Sequence, residues 1–274
     1  MTVNCKGTLI NVSTPKVMGI LNLTPDSFYD GGKYKNESEI LQQVEQMLTD
    51  GATFIDIGAY SSKPGADHIP VEEEKHRIIP IVELVLQKFP EAILSIDTFR
   101  SEIAKLCIEA GAALINDISA GHLDENMITT VGQLKVPYIM MHMKGTPQTM
   151  KSLDQYDNLI TDINLYFAHA IAKARKHGIN DIIIDPGFGF AKNTAQNFEL
   201  LKHLKILEFH ELPILAGISR KSMIYKTLSC SPSEALNGTS ILNTIALQNG
   251  ASILRVHDVK EAVECIKLLN ALSN

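Results

Sequence analysis

The chain has 274 residues, of which 45% are apolar and 20% charged. That balance excludes extended disorder, and a chain this long buries a core without disulfide staples. The net charge of −6 argues against a general polyanion binder, whose affinity rests on neutralising many phosphates, but leaves room for a small anion held by a few local cations.

The four cysteines, Cys5, Cys107, Cys230 and Cys265, lie far apart and match no zinc or redox spacing. They read as incidental thiols of a reducing compartment. Residues 1–20 carry no basic stretch followed by a secretory apolar run, and no apolar run is long enough to span a membrane. The expectation is a cytoplasmic protein with neither a membrane nor a nucleic-acid partner.

Residues 1–15, with Val3, Leu9, Ile10 and Val12, read as an extension before the main fold, a β-hairpin closing its bottom. An alternation then runs down the chain. Short apolar runs occupy residues 17–21, 53–57, 92–96, 113–118, 136–141, 181–184, 213–216 and 252–256. Runs of this length, rich in Ile, Val, Leu and Met, suit parallel strands buried on both faces. Between them, segments such as 37–50, 71–88, 100–110, 159–177 and 194–204 place apolar residues three and four apart, as one-sided helices require. Gly51, Gly111, Gly178 and Gly250 each end a helical segment before a strand. Eight strands, each followed by a helical segment, predict an α/β fold of the (β/α)8 TIM-barrel type, with residues 1–274 as one domain. A doubly wound open sheet fits less well, because no Gly-x-Gly-x-x-Gly follows the first strand.

In such barrels the site forms where the strands end. Those ends carry Asn22, Asp56, Asp97, Asn116, His142, Asp185, the loop from Gly217 to Lys221, and Arg255 with His257. Helix capping accounts for any one of these acids but not for the set, with Asp56 the weakest member. Asp97, Asn116 and Asp185 offer acceptors and an amide donor to a planar heterocycle with an amidine-like edge. Arg255 can lie flat on such a ring, and Lys221 can donate to it. Arg255, His257, Lys63, Ser61 and Ser62 together suit a phosphate or diphosphate, and the segment Ser219-Arg-Lys-Ser222 opens a helix, whose N-terminus favours anions. Gly187, Gly189 and Gly217 allow backbone close to a flat ligand. Loops 24–32 and 61–65 are long enough to close over the site. No histidine spacing marks a metal site, and Asn22 is the candidate oxygen donor for a magnesium ion on an anionic leaving group.

Seven segments carry a resemblance. They are Met18-Gly-Ile-Leu-Asn-Leu-Thr-Pro-Asp-Ser-Phe28, Ser95-Ile-Asp-Thr98, Ile115-Asn-Asp117, Met141-His-Met-Lys-Gly-Thr-Pro147, Asp185-Pro-Gly-Phe-Gly-Phe190, Ser219-Arg-Lys-Ser222 and Arg255-Val-His-Asp258. In this order they resemble the bacterial dihydropteroate synthases, pterin-binding barrels, over nearly the whole chain. The resemblance implies a transferase of folate biosynthesis. It would join 6-hydroxymethyl-7,8-dihydropterin diphosphate to p-aminobenzoate, with Mg2+ as cofactor, in a homodimer packed through the late helices. It implies that Asp97, Asn116, Asp185 and Lys221 hold the pterin. Arg255 stacks on it and, with His257 and Asn22, binds the diphosphate. Met141 and Gly217 belong to the same substrate-binding set, and Asp26 and Phe28 lie on a closing loop. Phe190 faces the aminobenzoate ring, Ser222 holds its carboxylate, and sulfonamides compete there. One segment departs: the family reads Gly-Glu-Ser-Thr-Arg-Pro where this chain reads Ala59-Tyr-Ser-Ser-Lys-Pro64. Lys63 keeps the charge without the planar fork, Tyr60 replaces a carboxylate, Ser62 keeps a hydroxyl and Pro64 the turn. Three other readings stay open: a pterin-binding barrel that has lost catalysis, a methyltetrahydrofolate-dependent methyltransferase, and a sugar-phosphate isomerase or aldolase.

Overall fold

The computed structural model describes residues 1–23, 33–62 and 68–273. Asp26, Phe28, Lys63 and Pro64 therefore lie outside the described residues.

Strands β1 (Thr2–Cys5) and β2 (Thr8–Asn11) form the expected antiparallel hairpin. Its two-residue turn has positive φ at Lys6 (54°) and Gly7 (84°), the pair of left-handed conformations that match strand twist. Val3 and Cys5 alternate with exposed Thr2 and Asn4, so one face of the hairpin is apolar. That face packs under the barrel against Met18, Phe54, Leu114, Ile183 and Ile253.

Eight parallel strands close into the barrel: β3 (Lys16–Asn22), β4 (Phe54–Gly58), β5 (Leu94–Asp97), β6 (Leu114–Asp117), β7 (Tyr138–Met141), β8 (Ile182–Asp185), β9 (Ile214–Ala216) and β10 (Ala251–Val256). Each falls on one of the eight predicted runs or within two residues of its end. β10 pairs with both β3 and β9, which leaves no free edge. Helices α1 (Lys33–Thr49), α2 (Val71–Lys88), α3 (Ser101–Glu109), α5 (Leu159–Lys176) and α6 (Thr194–Lys202) occupy the helix-period segments. Helices α4 (Met127–Leu134), α7 (Ser222–Thr227), α8 (Leu236–Gln248) and α9 (Val259–Ser273) complete the outer ring. The fold is the α/β (β/α)8 TIM barrel with an N-terminal hairpin.

The two-residue period of a strand explains how the barrel positions its site. Phe54, Leu114, Ile183, Leu215 and Ile253 form an apolar floor with the hairpin. Two residues further along the same strands stand Asp56, Asn116, Asp185, Gly217 and Arg255. The intervening residues, such as Ile55, Ile115, Ile184 and Leu254, face the helices in the main core. One layer of polar side chains is thus laid over a dry floor, at the C-terminal ends of the strands.

Candidate active site

Arg255 is the hub of this layer. Its Nε donates to Asp56 Oδ2 at 2.5 Å and its Nη2 to Asp97 Oδ2 at 2.6 Å. Asn116 Nδ2 also donates to Asp56 Oδ2, at 3.0 Å. Asp97 and Asn116 are register partners on β5 and β6, which sets them side by side. Asp56 is only 1% exposed, and its second oxygen is buried without a hydrogen-bond partner. It therefore faces Arg255 and Asn116 rather than the mouth, and acts by holding them. None of these carboxylates caps a helix, so capping does not explain the set. The N-cap of α3, for instance, is Arg100, which makes no side-chain capping bond.

Two carboxylates share one guanidinium, and the electrostatics follow. Burial, with the nearby charges of Asp56 and Glu74, pushes the Asp97 carboxyl up to about 7 against the pull of Arg255. Burial opposes the charge of Arg255, but Asp56 and Asp97 outweigh it and hold the guanidinium above its usual value.

The opposite wall is built on β8 and β9. Burial raises the Asp185 carboxyl, opposed chiefly by Lys221, and Asp185 Oδ1 accepts from Gly187 N at 2.8 Å. Lys221 Nζ donates to Phe188 O and lies 4.8 Å from the centre of the Phe190 ring. Burial lowers its ammonium to about 8, while Asp185 pulls the other way. A Cβ at Gly217 would stand 3.8 Å from Lys221 Nζ and 3.9 Å from Asp185 Oδ2. The missing side chain thus leaves open the space where that carboxylate and ammonium converge.

His257 Nδ1 and Ser219 Oγ are 3.0 Å apart, and the same hydroxyl accepts from His257 N at 3.2 Å. Burial, reinforced by Arg255, lowers the imidazole to about 4. His257 therefore serves as a hydrogen-bonding group rather than a cation in the free protein. The segment before α7 does open a helix, with Lys221 as N-cap, but that helix has only six residues. Attraction for an anion rests on side chains there more than on a helix dipole.

A cavity of about 680 Å³ opens between these walls. Asn22, Ser61, Ser62, Asp97, Phe190, Gly217, Lys221, Ser222, Arg255 and His257 all line it. Asn116 and Asp185 stand in the layer beneath. Met141 is buried in a small cluster with Ile118, Met150 and Ala191, against which Phe190 packs, and is not on the cavity wall.

Several residues that organise the site have no role assigned to them by the sequence. Arg220, at φ 55°, grips Asp258 with Nε at 2.8 Å and Nη2 at 2.7 Å, and donates to Ser233 O at 2.7 Å. It ties the loop after β9 to the start of α9. Glu74, in the acidic first turn of α2, is buried against Arg100 at 2.7 Å and Thr98 Oγ1 at 2.7 Å, which braces the chain just after Asp97. Tyr60, the departure from the family pattern, packs edge-on to Phe99 and beside the Arg100 guanidinium, which is 5.3 Å from its ring. Its hydroxyl meets Gln148 at 3.0 Å and His68 at 3.1 Å. Lys192 is buried under the loop that carries Phe190.

The family model described as "Pterin binding enzyme" matches residues 18–257. The dihydropteroate synthase of Escherichia coli K12 is 42% identical over 99% of this chain and 96% of its own. In structure, a Yersinia pestis dihydropteroate synthase with a sulfonamide drug complex superposes with a TM-score of 0.93 at 42% identity, covering 100% of this chain and 99% of that one. A Xanthomonas albilineans dihydropteroate synthase in complex with 7,8-dihydropteroate gives 0.89 at 34% identity, over 100% and 99%. The chain belongs to the family of pterin-binding enzymes. Within it, the chain is one of the dihydropteroate synthases, transferases that form 7,8-dihydropteroate from a dihydropterin diphosphate and p-aminobenzoate.

Proposed function

We propose that the barrel mouth divides this condensation between two walls, and that residues 1–274 act as one unit because no cut near the middle leaves a complete site. Asp97, Asn116, Asp185 and Lys221 hold the pterin, matching its amidine-like edge with carboxylates and its ring oxygen with the ammonium. Arg255 lies against the ring and, with His257, Asn22, Ser62 and Lys63, receives the diphosphate. Phe190 faces the p-aminobenzoate ring, Ser222 takes its carboxylate, and Pro64 belongs to the same substrate-binding set. A sulfonamide competes for this second pocket, a reading supported by the relative solved with such a drug. Asp26 and Phe28 belong to the substrate-binding set, and Gly217 leaves room for the pterin, while Met141 lies behind the wall, in the cluster against which Phe190 packs.

The carbon–oxygen bond to diphosphate breaks first. The leaving group takes the electron pair, and Arg255, Lys63 and the imidazole of His257 receive its charge as it develops, where preorganised groups act most strongly. The cation left on the pterin methylene spreads into the ring beside Asp97 and Asp185. The amine of p-aminobenzoate then attacks the methylene carbon and loses one proton, giving 7,8-dihydropteroate.

The donor set fits magnesium, because Asn22 offers a hard carboxamide oxygen at the cavity wall and magnesium keeps most of its ligands as water and phosphate oxygens. Among the described residues no cluster of three or more His, Cys, Asp or Glu forms a dedicated metal cage. When bound, the ion would neutralise charge on the departing diphosphate.

The chain also works as a homodimer through its late helices. Phe209 is 85% exposed, and Leu228, Ile241, Leu268 and Leu272 are exposed with it, an apolar set a second copy would cover. Action in the cytoplasm accords with four free cysteines. Among the described residues no helix is long and apolar enough to cross a membrane.

The observation that carries the reading is the convergence of Asp185 and Lys221 on the space left by Gly217, opposite the Asp56–Arg255–Asp97 bridge. Diphosphate release from protein, pterin diphosphate and p-aminobenzoate is the test. Asp185→Asn and Lys221→Ala should each lower turnover at least about 100-fold while the unfolding midpoint is retained. Pterin binding with no diphosphate from the unaltered protein would mark a binding barrel instead, and near-normal turnover in either variant would refute the assignment of those residues.

A further inference from the structure

Lys192 follows the Asp185-Pro-Gly-Phe-Gly-Phe190 segment, yet its side chain is only 8% exposed. Its Nζ lies 3.0 Å from each of Gly187 O, Phe190 O and His142 Nδ1. Three acceptors around one ammonium match its three protons. Two of them are the first and last residues of the turn in which Phe190 N donates to Gly187 O at 3.1 Å. The third fixes this turn to the end of β7.

The turn has little freedom elsewhere. Gly187 has φ 70°, and a Cβ there would come within 2.1 Å of His142 O, so the two backbones are already in contact. Asn197, buried on α6, accepts from Gly189 N at 2.6 Å and donates to Lys192 O at 3.1 Å. Asp185 belongs to β8, paired in register with Met141. Phe190 stands five residues beyond that strand, and its carbonyl is held by the Lys192 ammonium. Loss of the ammonium would therefore act on Phe190 through a lost contact and on Asp185 only through a weaker charge effect, behind those of Lys221 and Arg255.

We propose that Lys192 is a positioning residue for the second substrate: it staples the 187–190 turn so that the Phe190 ring forms one wall of the p-aminobenzoate pocket. The inference rests on the reading of Phe190 given above. Burial lowers the Lys192 ammonium to about 7; the charge of Asp185 pulls the other way, so the three acceptors and that carboxylate offset only part of the cost of desolvation.

Steady-state kinetics by diphosphate release test it, with Lys192→Met, Phe190→Ala and the double variant. In Lys192→Met the KM for p-aminobenzoate should rise about tenfold, the scale of one lost charged hydrogen bond, while the KM for dihydropterin diphosphate stays within about twofold. The double variant should be no worse in p-aminobenzoate KM than Phe190→Ala alone. Equal rises in both KM values, multiplicative effects in the double variant, or a fall in kcat with both KM values unchanged would overturn the proposal. If Lys192→Met does not fold, Lys192→Gln, which keeps two donors, is subject to the same split. An inactive wild type, or an unchanged p-aminobenzoate KM in Phe190→Ala, would instead count against the reading of the site.

Discussion

Replacing Arg255 by methionine isolates the bridge at the base of the mouth. The substitution keeps an unbranched chain of similar length but removes the guanidinium that joins Asp56 at 2.5 Å and Asp97 at 2.6 Å. Each bond to a charged group contributes about 1.5–3 kcal/mol, and breaking a buried pair typically costs about 3–5 kcal/mol because a charge is left uncompensated. Both carboxylates then lose the ion-pair partner they share, so a loss of about 3–5 kcal/mol is expected at pH 7.5. The loss should shrink toward pH 5. Asp97 already has a folded-state pKa raised from 3.8 to about 7, chiefly by burial, and loss of the cation raises it further. A raised acid contributes stability that is complete below its unfolded pKa of 3.8 and is lost as pH rises through the folded pKa, so wild type and variant differ over this group only above about 7. The variant should therefore unfold in urea much closer to wild type at pH 5 than at pH 7.5. Equal destabilisation at the two pH values, or less than about 1 kcal/mol at pH 7.5, would refute the bridge as the source of the effect.

Other outcomes follow from the same geometry. Gly217→Ala adds a methyl in ordinary contact with Lys221 and Asp185, so the thermal midpoint should hold while pterin affinity, by calorimetry, falls at least about tenfold because the space is filled. His257 should titrate at about 4 by NMR in the free protein, since burial and Arg255 disfavour its charged form, and move upward once diphosphate is bound beside it; an unchanged titration would remove it from the anion site. Of the four cysteines, Cys230 should react fastest with a disulfide reagent, because burial pushes the Cys5 and Cys107 thiols up to about 12; rapid modification of all four in the folded state would contradict this.

The sequence by itself determined the barrel and most of its mouth. Period-two alternation places Arg255 two residues from Ile253 and Asp185 two from Ile183, so apolar floor and polar layer are both written locally. The hairpin was equally legible, from Val3, Leu9, Ile10 and Val12 in residues 1–15. What required the tertiary structure was every property that depends on residues far apart in the chain. Asp56 and Arg255 are separated by 199 positions, and nothing near either one shows that a second carboxylate shares the same guanidinium. The burial of His257 beside Arg255, which disfavours its charged form, is likewise a property of the closed barrel. Glu74 looks like one more solvated acid beside Glu72 and Glu73 until Arg100 is found against it. Lys192 looks like a surface lysine until the 187–190 turn folds over it. Strand period is fixed by neighbours along the chain, whereas desolvation and charge pairing are fixed by neighbours in space, and these only the closed barrel supplies.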